Sequence, residues 1–302
     1  MDAQSIARIR RFNRTVAEGI GTLTDHFLGR GRPYGESRVL WEIGTQGADI
    51  RELRDRLGLD SGYVSRLLRS LQRQKLVRVT IGKSDHRVRR VELTVAGRRE
   101  RRVLDSRSAA LAKRMLDPLT EKQRAAFLDA VAQVERLLQP SLVRFAIERP
   151  TSADAQWCWQ QYFAELDERF QSGFDPGVAL PVDVHEVTPP GGALIVARLH
   201  GRPIGCGSVK TPRGAPAYLK RMWVARQARG LGVGRRLLAE LEDYARSTGA
   251  GVIHLETNRT LTEAIALYRA SGYVEVPPFN AEPYAHHWFE KRIARSTRAK
   301  RY

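Results

Sequence analysis

The fold of the C-terminal half is decided by residues 229–234, Arg-Gly-Leu-Gly-Val-Gly. The preceding segment 217–224 (AYLKRMWV) has the branched, aromatic and apolar residues typical of a β-strand. After it, Leu237, Leu238 and Leu241 recur at helical spacing. The order is therefore strand, glycine-rich turn and helix, in which backbone N–H groups converge on one point. Such a turn suits a phosphate or pyrophosphate, although an ordinary tight loop before a helix has the same pattern.

Two other phosphate-binding motifs do not match this turn. Its spacing differs from the dinucleotide fingerprint G-x-G-x-x-G, and it lacks the Gly-Lys-Ser/Thr of a nucleotide-triphosphate loop. Downstream come Leu-Glu-Thr-Asn at 255–258 and a predicted helix that leads into Gly-Tyr at 272–273. These motifs resemble those of the GNAT acetyltransferase family: Q/R-x-x-G-x-G/A, then L-x-T-N, then A-x-x-L-Y-x-x-x-G-F/Y. The resemblance runs from about residue 145 to residue 293 and implies acetyl-CoA as cofactor and a primary amine as acceptor.

The resemblance implies that the strand end, the glycine turn and a following asparagine bind the coenzyme. These residues are Met222, Trp223, Val224, Arg229, Gly230, Leu231, Gly232, Val233, Gly234, Arg235 and Asn258. It also implies that strand 219–224 splays away from its neighbour. Asn258 has a second interpretation, as the N-cap of a helix that starts near Thr260.

Tyr268 matches the tyrosine that protonates the departing thiolate in many GNAT relatives, although a tyrosine buried for packing would leave the same pattern. The motifs do not specify the general base. Many relatives carry a glutamate on the strand before the cradle, where this sequence has Tyr218. Glu256 and His254, on the following predicted strand, are the candidate bases. An acceptor whose amine has a pKa near about 8 would need no strong base, because much of it is already neutral.

The segment 277–291 is predicted to form the wall of the acceptor site. Its polar side chains suit recognition of an amine or a carboxylate, and the candidates are Asn280, Glu282, Tyr284 and His286. The adjacent His286 and His287 are expected on opposite faces of a strand, so no metal site is predicted.

Composition sets limits on the protein class. The 302 residues suffice for two domains with separate cores, and the sequence has no apolar run long enough for a transmembrane helix. The N-terminal residues have several arginines and no apolar segment, so no secretory signal is predicted. Cys158 and Cys206 fit no metal-ligand spacing, which favours a reduced, cytoplasmic protein.

Positive charge is concentrated in the N-terminal half. Of the net charge of +18, residues 1–150 carry +13, from 31 lysines and arginines against 18 acidic residues. An excess of this size predicts a polyanionic partner, and nucleic acid is the polyanion that we expect. The predicted helix 61–73 follows a short helix and a turn, and its apolar stripe lies opposite a face of serine, tyrosine and arginine. This arrangement is typical of a helix-turn-helix recognition helix, although a solvated charged face would look similar.

A basic β-hairpin is predicted directly after this helix, with strands at 76–81 and 87–93. The pattern D-x-R-x-x-x-V-x-L-T-x-x-G from residue 85 to residue 97 resembles the MarR family of winged-helix regulators. The resemblance implies that Arg87 reaches the minor groove or its phosphates and that Asp85 braces the wing. The DNA-binding candidates are Ser61, Tyr63, Ser65, Arg66, Arg69, Arg73, Lys83, Asp85 and Arg87.

The predicted fold class is a mainly α, MarR-like winged helix-turn-helix domain followed by an α/β GNAT domain with a mixed, splayed sheet. The domains are assigned to residues 1–140 and 143–295, with a basic tail at 296–302. Helices are expected at 4–28, 94–116 and 120–139, the last ended by Pro140. The MarR resemblance implies a homodimer on a palindromic DNA operator.

Three functions remain open at this point. The first is a bifunctional DNA-binding regulator and N-acetyltransferase. The second is a regulator whose GNAT domain senses acetyl-CoA or another ligand without turnover. The third is an enzyme whose winged helix serves only dimerisation.

Overall fold

The computed structural model describes residues 2–23, 26–81 and 89–294. The chain divides into two compact units, residues 1–132 and 133–302. The predicted wing residues Lys83, Asp85 and Arg87 and the tail 296–302 lie outside the described residues. Within the described ranges, no helix combines the length and the apolar character needed to cross a membrane.

The first unit is mainly helical and carries a small antiparallel sheet. Its helices are α1 (Ala3–Ile20), α2 (Tyr34–Ile43), α3 (Ile50–Leu57), α4 (Ser61–Arg73), α5 (Val95–Leu116) and the start of α6 (Glu121–Leu142). Its strands are β1 (Ala48–Asp49), β2 (Val77–Ile81) and β3 (Arg89–Leu93), in the order β1-β3-β2. The hairpin after α4 confirms the predicted winged helix-turn-helix.

Local capping positions α3 and α4 as the sequence predicts. Gly58, with φ 66°, ends α3 in the left-handed conformation that glycine adopts without strain. The carboxylate of Asp60 then caps α4 by accepting the backbone N–H of Tyr63 at 2.8 Å. On the inner side of α4, Val64, Leu67, Leu68 and Leu71 are buried.

Two helices end elsewhere than predicted. Helix α1 stops at Ile20 rather than near residue 28, because Gly21 turns the chain at φ 68°. Helix α6 continues through Pro140 to Leu142. Pro140 lies in the last turn of α6, so the backbone hydrogen bond that its ring removes affects only the end of the helix. The Arg236 guanidinium donates to the Pro140 carbonyl there.

The second unit is a mixed seven-stranded sheet with helices on both faces. Its helices are α7 (Ala153–Arg169), α8 (Val233–Ser247) and α9 (Thr262–Ala270). Its strands are β4 (Arg144–Glu148), β5 (Gly192–Leu199), β6 (Arg202–Lys210), β7 (Ala217–Val224), β8 (Val252–Thr257), β9 (Val274–Val276) and β10 (His287–Arg292). The strand order is β4-β5-β6-β7-β8-β10-β9, and only the β7–β8 pair is parallel within this described region.

Separate apolar cores cover the two faces of this sheet. One face packs against α8 and α9, around buried residues such as Leu237, Leu241 and Phe289. The other packs against α7, where Trp159 and Cys158 meet Val196. Burial of these faces supplies the hydrophobic stabilisation that holds the sheet between its helices.

The sheet opens between β7 and β8. Among residues 89–294 their ladder consists of two pairs, Ala217 with Ile253 and Tyr218 with His254. This confirms the splay predicted for strand 219–224. Opposite β6, the register of β7 shifts at a β-bulge, and Arg221 there has φ 53°. The bulge bends β7 and allows its C-terminal half to diverge from β8.

Candidate active site and nucleic-acid surface

A cavity of about 410 Å³ lies where β7, the glycine turn and α9 meet, and we call it the cradle cavity. Gly230 and Gly232 line it with φ 74° and 75°. A Cβ atom added to either glycine would have no heavy atom of another described residue within 4 Å, apart from the two chain neighbours, so it would project into open space. These glycines therefore leave room for close approach of a ligand to the backbone.

The N-terminus of α8 opens into the cradle cavity. Gly232 occupies its N-cap position and has no side chain with which to cap the helix. The first-turn N–H groups of Val233, Gly234 and Arg235 therefore precede the i→i−4 ladder. Arg235 is exposed at the cavity and has no acidic partner among the described residues. Unpaired amides, the helix dipole and this guanidinium together suit a pyrophosphate.

The side chain of Arg229 is held by protein groups. Its Nε donates to the Val224 carbonyl at 3.0 Å, and its Nη2 contacts the Glu165 carboxylate at 2.6 Å. Glu165 also accepts the Trp223 indole N–H at 2.9 Å. Because these contacts join α7, the end of β7 and the turn, Arg229 fixes the position of the cradle.

A second cavity, of about 100 Å³, lies on the α7 side of the opening between β7 and β8, and we call it the acceptor cavity. Its polar floor consists of Lys220, Glu256 and Glu282. The Lys220 ammonium donates to Glu256 at 2.6 Å and to Glu282 at 3.1 Å. Since two carboxylates share one ammonium, the cluster carries a surplus of negative charge when all three groups are ionised.

This environment changes the acidity of Glu256. Burial, together with repulsion from Glu282, raises the pKa of the Glu256 carboxyl to about 8. Two side chains orient the Glu256 carboxyl. The Tyr218 hydroxyl donates to Glu256, and the Asn280 amide donates to the Tyr218 oxygen. A carboxyl group that titrates near neutral pH is suited to proton transfer.

Tyr268 lies where the two cavities meet. Tyr268, Met222 and Tyr162 line both cavities. The Tyr268 hydroxyl meets the Met222 sulfur at 4.0 Å, and the residue is 7% exposed. Burial raises the pKa of the Tyr268 phenol well above its ordinary value, so the hydroxyl keeps its proton. The hydroxyl is thus a protonated donor at the junction.

Residues 151–273 match the family model described as "Acetyltransferase (GNAT) family". An IAA acetyltransferase of Azospirillum brasilense is 38% identical over 34% of this chain and 67% of the relative. An uncharacterized N-acetyltransferase of Schizosaccharomyces pombe is 32% identical over 49% of this chain and 92% of the relative. The chain belongs to the GNAT acetyltransferase family. It is an N-acetyltransferase.

The acetyltransferase also carries a MarR domain. Residues 30–88 match the model described as "MarR family". The crystal structure of apo wild-type MarR from E. coli aligns with a TM-score of 0.38 at 20% identity, covering 41% of this chain and 93% of that chain.

Most of the coenzyme residues predicted for the acetyltransferase line the cradle cavity. They are Met222, Trp223, Val224, Arg229, Gly230, Gly232, Val233, Gly234 and Arg235. Leu231 instead packs against the small core around Val143. Asn258 lies at the acceptor cavity, where its amide donates to the Tyr284 carbonyl at 2.8 Å and accepts the Thr260 N–H at 3.0 Å. The N-cap interpretation of Asn258 is wrong, because Leu261 occupies that position.

The predicted acceptor residues of the acetyltransferase separate into two groups. Glu282 and Tyr284 line the acceptor cavity, and Asn280 supports Glu256 through Tyr218. His286 is exposed and is not among the residues that line this cavity in the described structure. His254, the alternative base, pairs with Glu290 at 3.0 Å and likewise stands outside that lining.

Several site residues of the acetyltransferase were not predicted from the sequence. Lys220 connects Glu256 to Glu282, and Tyr162 lines both cavities. Glu165 holds Arg229. In the sequence, Glu165 and Arg169 have only the i,i+4 spacing of a helix-surface ion pair, which gives no signal for the contact with Arg229. The sequence signal for the buried cluster is the presence of two charged residues, Lys220 and Glu256, inside predicted strands.

The outer face of α4 forms a separate basic surface on the N-terminal unit. The predicted contact residues Ser61, Tyr63, Ser65, Arg66, Arg69 and Arg73 are all exposed. Arg66, Arg69 and Arg73 line a concave surface together with Gln72. Within residues 26–81 and 89–294, these arginines form no ion pair with a carboxylate. Their charges are therefore available to an external anion.

Proposed function

We propose that the protein is a bifunctional transcriptional regulator and acetyl-CoA-dependent N-acetyltransferase acting on a primary amine. The observation that carries the catalytic half is the junction of the two cavities at Tyr268 and Met222. A phosphate-suited cradle opens on one side of this junction. A buried carboxyl group with a pKa near neutrality stands on the other. A donor of acetyl groups and an amine can thus meet at one point.

The cradle residues fit the coenzyme. Acetyl-CoA supplies an acetyl group activated as a thioester when it is bound. The amides at the start of α8 and the Arg235 guanidinium would hold its pyrophosphate, and Gly230 and Gly232 give these amides an unobstructed face. The open edge of β7 beyond Tyr218 offers backbone groups to the pantetheine arm.

Glu256 is proposed as the general base. An acceptor ammonium bound at the cluster gives one proton to the ionised Glu256 carboxylate, which leaves a lone pair on nitrogen. The nitrogen forms a bond to the thioester carbonyl carbon as the C–S bond breaks. The Tyr268 hydroxyl gives its proton to the departing thiolate sulfur, and the second proton lost by the nitrogen replaces it. The products are the amide, CoA thiol and one proton released from Glu256 to solvent.

A thiol-release assay tests this reaction. We expect free CoA to appear with acetyl-CoA and a panel of primary amines, and Glu256→Gln to lower kcat by roughly 10²- to 10⁴-fold. Glu240→Gln, which removes an exposed carboxylate from α8, is the matched control and leaves kcat unchanged. Tight acetyl-CoA binding without CoA release from any amine would favour the sensor function over catalysis.

The regulatory half of the proposal rests on α4. Its exposed arginines stand on a helix whose opposite face is buried, and a β-hairpin follows. This arrangement suits insertion into the major groove of double-stranded DNA. Titration of the protein with a duplex from its own promoter region, at several salt concentrations, tests it. Steep salt dependence supports DNA binding, and its absence favours the enzyme whose winged helix only dimerises.

A homodimer is supported by apolar side chains that the single chain leaves uncovered. On α1, Ile6 and Ile9 are 46% and 58% exposed, and on α6, Phe127 and Leu128 are 40% and 50% exposed. Apolar faces of this kind mark an interface. Sedimentation equilibrium is expected to give twice the chain mass. A palindromic operator would then match the two-fold symmetry of the dimer.

A further inference from the structure

The acceptor cavity contains an unpaired carboxylate oxygen. Glu282 is buried, and its Oε2 accepts from Lys220 and from the Leu180 backbone N–H, both at 3.1 Å. Its Oε1 is also buried and has no hydrogen-bond partner among the described residues. A buried carboxylate oxygen without a donor is unfavourable, and a ligand ammonium would satisfy it. Glu282 lines the acceptor cavity, so this oxygen is an available acceptor for the ammonium group of a bound ligand.

The Arg221 guanidinium, which has no acidic partner among the described residues, lines the same cavity. The β-bulge places Arg221 and Lys220 on the same face of the sheet. On that face, Lys220 contacts Glu256, and the Arg221 guanidinium stacks on an aromatic ring of α7. The Arg221 guanidinium lies 4.4 Å from the Trp159 ring centroid and 5.1 Å from that of Phe163. Burial lowers the pKa of Arg221, and no carboxylate in the described structure pairs with it. A partly desolvated guanidinium in this position suits a ligand carboxylate.

The remaining wall of the cavity is aromatic. Phe174 lies 4.9 Å from Tyr284 and 5.7 Å from Phe163, measured between ring centroids, and Phe170 completes the cluster. These rings form an apolar surface beside the charged floor. The cavity volume of about 100 Å³ restricts the acceptor to a compact small molecule and excludes a long chain.

We propose that the acceptor is a free α-amino acid with an aromatic or branched apolar side chain. Its ammonium lies at Glu282 and Glu256, its carboxylate pairs with Arg221, and its side chain packs on the aromatic wall. This inference rests on the proposed acetyl transfer and specifies its substrate class. The carboxylate stays ionised and unreacted, and only the nitrogen forms a bond to the acetyl carbon.

Three related probes test the carboxylate contact on the full-length protein. Calorimetric titration with CoA present gives Kd, and the thiol-release assay gives KM, for L-phenylalanine, L-phenylalaninamide and phenethylamine. Loss of a charge-assisted pair is expected to raise Kd and KM for the last two probes by roughly 10- to 100-fold. In Arg221→Gln, the Kd and KM values of the three probes are expected to lie within about twofold of one another. Arg221→Lys restores part of the preference for L-phenylalanine. Arg202→Gln, which changes an exposed arginine on β6, keeps the full preference.

The outcomes separate this inference from the proposed function. Equal or tighter binding of phenethylamine or the amide by the unchanged protein would overturn the inference, as would an undiminished carboxylate preference in Arg221→Gln. If the variant fails to fold, the comparison of the three probes on the unchanged protein still decides. CoA release with other amines but not with amino acids refutes only the inference. Amino-acid binding without CoA release from any amine supports the recognition site and refutes catalysis.

Discussion

Replacement of Glu282 by glutamine should shift the pH dependence of acetyl transfer. In the unchanged protein, the pKa of Glu256 is about 8, so roughly one-tenth of this carboxyl is ionised at pH 7 and nine-tenths at pH 9. A general base acts in its ionised form, and kcat therefore rises as the pH increases through 8. Its total rise from pH 7 to pH 9 is expected to be about tenfold.

The size of the shift follows from the shared lysine. Glu256 and Glu282 contact the same Lys220 nitrogen at 2.6 Å and 3.1 Å, so these two oxygens are no farther apart than the sum of the distances. Two unit charges about 6 Å apart at an effective dielectric constant of about 20 repel by about 2.8 kcal/mol, or about two pKa units. Removing the Glu282 charge should therefore lower the apparent pKa of the kcat profile by about two units.

The assay compares kcat from pH 6 to pH 9.5 with the same amine for the unchanged protein, Glu282→Gln and the surface control Glu240→Gln. Titration of the free amine is common to all three proteins, so a displacement between their curves reports the enzyme group. Glu240→Gln should follow the unchanged curve. Superimposable curves for Glu282→Gln and the unchanged protein would refute the coupling, and a kcat independent of pH would refute Glu256 as the base.

Three further substitutions test the remaining parts of the site. Tyr268→Phe is expected to lower kcat by roughly 10²-fold or more while acetyl-CoA affinity stays within about twofold, since only the proton donor is lost; equal losses in binding would contradict this role. Gly232→Val should weaken acetyl-CoA binding by at least about tenfold in calorimetry, because its side chain enters the cradle. Gly249→Val, at φ 88° with equally open surroundings, carries similar backbone strain away from the cradle and should leave that affinity unchanged. Arg66→Ala should reduce the salt slope of DNA binding by about one unit, and an unchanged slope would exclude a phosphate contact.

Both folds follow from local features of the sequence. The strand, glycine turn and helix around residue 230 are local features, because positive φ angles and helix capping depend on residues next to one another. The same holds for α4, where Asp60 caps the helix and the apolar stripe specifies its buried face. The motif that predicts Tyr268 is also local, because it covers α9 and residues 272–273 just after it.

The chemistry of the acceptor cavity depends on contacts between segments that are distant in the sequence. Lys220, Glu256 and Glu282 stand on three separate segments, and the splayed β7–β8 pair together with the loop before β10 brings them together. The pKa of Glu256 depends on burial and on a carboxylate distant in sequence, neither of which local spacing encodes. Arg229 is a second example. Its motif predicts a coenzyme contact, whereas the packing of α7 places the Glu165 carboxylate against the Arg229 guanidinium. Periodicity reports which face of an element is buried, but long-range electrostatic contacts arise only when the elements pack.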